Sequence, residues 1–324
     1  MYIKKDARIM VTGGTGFLGK SVVRLLKQDG YTKVIPLSGS KTWDLTKQSY
    51  VVYALQQFKP EIIIHLAARV GGIGANQLNP GKFMYDNLSM GLNLIEAARR
   101  QNICKKFIMI GTVCSYPKFS PVPFKEEDIW NGYPEETNAP YGIAKKTLMQ
   151  LLIAYKEQYS FNAINLVPVN MYGPEDNFDP ESSHVIPALI QKFHKATFQD
   201  PHEDVAVWGT GKASREFLYI DDCARAIIMA METHNDPHPV NIGTGVEIAI
   251  KDLTEKISGC MSYEGKIIWN TDKPDGQPRR CLDTSKAKKL FKFEATTDFD
   301  TGLGKTIEWF KDSMKVSNDN RNSI

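Results

Sequence analysis

The stretch VTGGTGFLG, residues 11–19, restricts what this chain can fold into more than any other. It follows a short apolar run and opens an amphipathic one, so a strand passes directly into a helix. Gly13, Gly16 and Gly19 recur at three-residue intervals. The first suits a tight turn, the second a close approach of backbone to a pyrophosphate, and the third close strand–helix packing. The helix start then offers unpaired N–H groups and a partial positive charge to an anion. Three glycines alone are a weak signal, but in a strand–turn–helix setting they predict a dinucleotide site.

The rest of the first half agrees. RIMVTG, KVIPLS, EIIIHLAA, KFIMIGT and AINLVPVN read as buried strands. Between them, GFLGKSVVRLLKQDG, QSYVVYALQQF, NLSMGLNLIEAARRQN and PYGIAKKTLMQLLIAYKEQYS carry apolar residues at helical spacing. Such alternation predicts the α/β class, with a Rossmann-type doubly wound parallel sheet covered on both faces. A flavodoxin-like sheet is the alternative without a dinucleotide. Past residue 171 the pattern loosens into a smaller α/β substrate-binding lobe. The expected division is a dinucleotide-binding domain of 1–170 plus roughly 217–243, a lobe of roughly 171–216 plus 244–316, and a flexible tail at 317–324.

No apolar run reaches membrane-spanning length, and the N-terminus lacks a signal-peptide pattern. Cys104, Cys114, Cys223, Cys260 and Cys281 are odd in number and lack metal-ligand spacing, which predicts reduced thiols in a cytoplasmic protein and no metal. A net charge of +3 gives no reason to expect nucleic acid, though it allows a locally basic pocket.

The end of the second strand bears on the cofactor. An NAD site usually places a carboxylate there for the ribose hydroxyls. Here PLSGSKTWDL offers Ser38, Ser40 and Lys41, with no carboxylate before Asp44. A 2′-phosphate would be welcomed, so the reading is NADP, with Asp44–Leu45 placed for the adenine.

TNAPYGIAKK sets Tyr141 and Lys145 one helical turn apart, with Pro140 suited to the first turn. With 13 tyrosines and 40 basic residues, about one Tyr-x-x-x-Lys pair is expected by chance. The glycine cradle gives this one something to act on. A cation beside the phenol should lower its pKa, and such a tyrosine can pass a proton to a carbonyl oxygen as hydride arrives.

Taken with HLAA and LVPVNMYGP, these features resemble the extended short-chain dehydrogenase/reductases over nearly the whole chain. AARVGGI, GTVCSYPK, NMYGPEDNF, SHVIPAL, VWGTG, REFLYIDD, NIGTG and KPDGQPR narrow the likeness to the GDP-L-fucose synthase family within them. The resemblance implies an NADPH-dependent enzyme that epimerises C3 and C5 of GDP-4-keto-6-deoxy-D-mannose, reduces C4, and works as a homodimer. It implies cofactor contacts at Thr15, Phe17, Ala67, Lys145, Pro168, Asn170 and His184, and GDP-sugar contacts at Lys192, Trp208, Arg215 and Lys273. Relatives often carry Ser where Thr112 stands, and Arg where Lys192 and Thr15 stand. The threonine hydroxyl can still bond the carbonyl, whereas a lysine keeps the charge and loses the fork.

Carbons 3 and 5 flank the ketone, so their protons become acidic once it is polarised. Inverting either centre needs a base on one face and an acid on the other. Cys114 and His184 both have ordinary pKa values within about two units of neutrality, which suits them to those roles. Two other readings stay open: a GDP-4-keto-sugar C4-reductase acting on colitose-type or heptose substrates, and a non-catalytic NADP-binding regulator. The second would be expected to have lost Tyr141 or Lys145.

Overall fold

A computed structural model of the chain describes residues 3–198, 200 and 203–321, without the side chains of 316–321. The strands are β1 (Ile9–Thr12), β2 (Val34–Leu37), β3 (Ile62–His65), β4 (Lys106–Ile110), β5 (Ala163–Pro168), β6 (Asn170–Tyr172), β7 (Val205–Trp208), β8 (Ser214–Tyr219), β9 (Val240–Ile242), β10 (Glu247–Ala249) and β11 (Ile267–Asn270). The helices are α1 (Phe17–Gln28), α2 (Gln48–Phe58), α3 (Ile73–Leu78), α4 (Pro80–Gln101), α5 (Ala139–Tyr159), α6 (Val185–Phe198), α7 (Ile220–Thr233), α8 (Ile250–Cys260), α9 (Ser285–Phe291) and α10 (Phe299–Arg321). Six parallel strands form the main sheet in the order β2-β1-β3-β4-β5-β9. Every residue of β1, β3, β4 and β5 is buried, as expected where helices cover both faces and the strand pattern is continuous rather than alternating. The strand order reverses between β1 and β3, so a crevice opens beyond their carboxyl ends.

All five expected strands and the four helices between them are present. Helix α4 starts at Pro80, seven residues before the stretch read as helical, because a proline near the start supplies its φ without losing a hydrogen bond. The run AINLVPVN is divided: β5 ends at Pro168, and β6 leaves the main sheet to pair with β8 beside β10. A two-stranded pair, β7 with β11, completes the second lobe. The segment after β11 is tied to β8, since Ser214 N–H donates to Pro278 O and Glu216 N–H to Arg280 O, both at 3.0 Å. Of the tail expected from residue 317, helix α10 takes the chain to Arg321, and 322–324 lie outside the described residues. No helix among the described residues is long and apolar enough to cross a membrane.

Candidate active site

One cleft of about 890 Å³ runs from the β1–α1 turn to β7 and β8. At its floor Gly13 sits at φ +68°, a conformation that side chains rarely adopt, and a Cβ there would lie 2.9 Å from Ala67 N. Gly19 is more constrained, since its Cβ would fall 2.0 Å from Gly13 O. Gly16 caps α1 with no side-chain hydrogen bond, so the first turn keeps its N–H groups for another acceptor. Below the turn, His65 Nδ1 and Thr12 Oγ1 are 2.8 Å apart. Burial and then the Lys145 charge pull that imidazole down to about 3, so it stays neutral and links β1 to β3. This cradle and uncapped helix end fit a dinucleotide pyrophosphate.

Thr112, Cys114, Tyr141, Lys145 and His184 all line this cleft, as do Thr15, Phe17, Ser38, Ser40, Asp44, Ala67, Pro168, Asn170, Lys192, Trp208 and Arg215. Thr112 lies two residues past β4 and caps the 3-10 turn Val113–Ser115, its hydroxyl accepting from Cys114 N–H at 3.2 Å. That turn packs against the start of α5, where the Tyr141 phenol lies beside Thr112 and Cys114. The expected lowering of the tyrosine pKa is corrected here. Burial, then the nearby Cys114, push the phenol above the ordinary tyrosine range, outweighing the opposite effect of Thr112. Lys145 donates to Ile110 O at 2.9 Å, and burial brings its ammonium down to about 8. The phenol therefore keeps its proton, as a donor must.

Lys41 is exposed on its turn and does not line the cleft, while Asp44 is occupied by Thr46, accepting from its N–H at 3.1 Å and its hydroxyl at 2.6 Å. Arg69, from AARVGGI, does line it, and its charge is felt at Asp44. At the opposite end Trp208 is half-exposed with Lys273 Nζ 5.2 Å from its ring centre, although Lys273 is not itself a lining residue. Lys192 Nζ donates to Ala206 O at 2.7 Å. Arg215 is buried, donating to Ser214 O and Asp275 O at 2.7 and 2.9 Å. Burial, then the neighbouring Arg280, bring Arg215 down to about 9.

Two functional candidates escaped sequence reasoning. Arg280, three residues beyond Gln277, lies 3.7 Å from Cys114 Sγ through Nη1. Asp176, inside NMYGPEDNF, is buried at the cleft wall, and its Oδ2 has no hydrogen-bond partner. Burial raises Asp176 to about 7. The folded protein thus holds a proton that the unfolded chain releases above about pH 4, so stability falls as pH rises from 4 through 7 and is level beyond. Asp176→Asn is expected to lack that slope, with a melting temperature several degrees above wild type at pH 8 and equal to it near pH 4. Thermal scans across that range check it; parallel curves would reject a buried, protonated Asp176.

This fold and its Tyr–Lys pair over a glycine cradle define an oxidoreductase or epimerase of the short-chain reductase type. Residues 9–243 match the NAD dependent epimerase/dehydratase family, and the chain belongs to it. It is 40% identical to GDP-L-fucose synthase 1 of Arabidopsis thaliana over 94% of each chain. A GDP-6-OMe-4-keto-L-xylo-heptose reductase from C. jejuni superposes with a TM-score of 0.91 at 27% identity, covering 97% of this chain and 100% of that one. A GDP-L-fucose synthetase from Naegleria fowleri bound to NADP gives 0.86 at 29% identity, covering 97% of each.

Proposed function

We propose that this protein is a GDP-L-fucose synthase, converting GDP-4-keto-6-deoxy-D-mannose to GDP-L-fucose by inversion at C3 and C5 followed by reduction at C4. The observation that carries it is the convergence of Tyr141, Thr112, Cys114 and His184 on one cleft. NADPH, when bound, supplies the hydride. Gly13, Gly16, Phe17 and the α1 N-terminus would hold its pyrophosphate, Ser38 and Ser40 its 2′-phosphate end with Lys41 beside them, Asp44 its adenine, and Ala67, Lys145, Pro168 and Asn170 the inner half. Thr112 and Tyr141 bond the ketone oxygen. That polarises the sugar, so C3 and C5 give up protons to one of Cys114 and His184 and regain them from the other. Tyr141 finally donates its proton to the C4 oxygen. Lys192, Trp208, Arg215 and Lys273 hold the GDP end.

Domain limits of 1–170 with about 217–243, and about 171–216 with 244–316, fit this division of labour. The five free cysteines support a cytoplasmic setting. Exposed Tyr85 and Leu92 on α4 and Tyr159 on α5 are apolar side chains that a homodimer would cover.

Turnover in deuterium oxide is expected to place solvent deuterium at both C3 and C5 of the product, read by NMR. Deuterium at neither, with NADPH consumed, selects instead a GDP-4-keto-sugar C4-reductase, the reading favoured by the heptose-reductase likeness and by Lys192 in place of a fork. No NADPH consumption with any GDP-4-keto-sugar would leave a regulator.

A further inference from the structure

The guanidinium of Arg280 is a buried charge at the catalytic end of the cleft to which no step above gives a task. Its place is built with care. Glu216 N–H on β8 donates to Arg280 O at 3.0 Å, and Leu282 N–H donates to the buried Glu216 carboxylate at 2.7 Å. Arg280 Nε donates to Gln277 Oε1 at 3.1 Å, and Gln277 Nε2 donates in turn to Pro117 O and Lys118 O at 3.2 and 3.0 Å. Thus Arg280 is tied to β8 through its backbone and, by way of Gln277, to the loop that follows Cys114. Its remaining arm faces the Cys114 sulfur at 3.7 Å. A structural arginine would normally spend its donors on carbonyls or carboxylates; here one donor is directed at a thiol.

We propose, on the reading of the preceding subsection, that Arg280 is the positioning residue of the two proton transfers, fixing the Cys114 sulfur toward the hexose ring and facing its anionic form with a positive charge. The charge acts on the other partner as well. Burial first, and Arg280 second, hold His184 below the usual histidine range, so the resting imidazole is neutral. Arg280 therefore reaches both members of the pair, the sulfur by contact at 3.7 Å and the imidazole through its charge. It does nothing directly for hydride transfer, because Tyr141 and Thr112 hold the ketone oxygen themselves.

The test separates inversion from reduction. Solvent deuterium entry at C3 and C5, and NADPH consumption, are followed across pH 5–9 for wild type, Arg280→Gln and Arg280→Lys. In Arg280→Gln, exchange is expected to fall roughly 10²-fold relative to reduction, the scale of an ångström of misplacement. The pH limb set by His184 should also move upward as the nearby cation is lost. Arg280→Lys keeps the cation, so its limb should stay at the wild-type pH even though exchange is slower without the planar fork. Exchange within about threefold of wild type in Arg280→Gln overturns the proposal, as does equal loss of exchange and reduction with an unmoved limb, the signature of a merely structural residue. If Arg280→Gln does not fold, a displaced limb in Arg280→Lys overturns it alone. Absence of exchange in wild type would instead refute the epimerase reading and leave Arg280 without this role.

Discussion

Tyr141→Phe is expected to slow NADPH oxidation by GDP-4-keto-6-deoxy-D-mannose by roughly 10²–10⁴-fold, the range over which a positioned general acid acts. The substitution removes one oxygen and no packing volume of consequence, so NADPH affinity measured by fluorescence should change little. The size of the effect follows from where the proton sits. Burial and the nearby Cys114 hold the phenol above its usual range, so across physiological pH the hydroxyl is fully protonated and donates without first being recharged. Thr112 cannot substitute: its hydroxyl can hydrogen-bond the ketone, but its proton is far less acidic than a phenol's. The same environment predicts no loss of rate from Tyr141 ionisation up to about pH 10. A Tyr141→Phe variant within tenfold of wild-type kcat would move proton donation to another group.

Much of this was legible because it is written in local patterns. The glycine interval, the continuous apolar strands and the four-residue Tyr–Lys spacing each encode geometry within one turn or one strand, and those elements are present. What sequence proximity suggested about electrostatics did not hold. Lys145 is one helical turn from Tyr141, yet its ammonium is drawn to Ile110 O, and burial of the phenol outweighs any benefit from the cation. Lys41 sits next to Ser40 in the chain, but it is exposed and does not line the cleft. Charge effects depend on dielectric and direction, which spacing does not convey.

Arg280 and Asp176 were hidden for a different reason. Both lie inside motifs that carry the family likeness, KPDGQPR and its continuation for one and NMYGPEDNF for the other. Their partners, however, are 166 residues away in the case of Cys114 and absent in the case of Asp176 Oδ2. Only the pairing of the 278–280 segment with β8 brings Arg280 to the sulfur. A signal existed in the second arginine of QPRR, but arginine pairs on surfaces are common and nothing local marks this one as buried.

The same long-range fitting makes Gly142→Ala a severe substitution at a position where helix propensity argues the other way. Alanine within a helix is favoured over glycine by up to ~1 kcal/mol, so an unobstructed site would gain stability. At Gly142 the new Cβ would lie 2.2 Å from Cys114 O and 2.9 Å from Cys114 C, and both are backbone atoms that cannot rotate aside. Helix α5 and the 3-10 turn would have to part, breaking the bond from Ser115 Oγ to Gly142 O at 3.1 Å. Overpacking of this kind costs about 1–3 kcal/mol, which exceeds the propensity gain, so the melting temperature is expected to fall by several degrees. The larger effect should be on turnover. Tyr141 rides on α5 while Thr112 and Cys114 ride on the turn, so an ångström between them misplaces proton donor and thiol together, and a loss of roughly 10²-fold or more in kcat follows. Gly304→Ala, in α10 where a Cβ meets nothing within 4 Å, is the matched control and should be at least as stable as wild type and equally active. If Gly142→Ala behaves like that control, the fit between α5 and the turn does not set the geometry of the reacting groups, and Tyr141 and Cys114 work independently of each other.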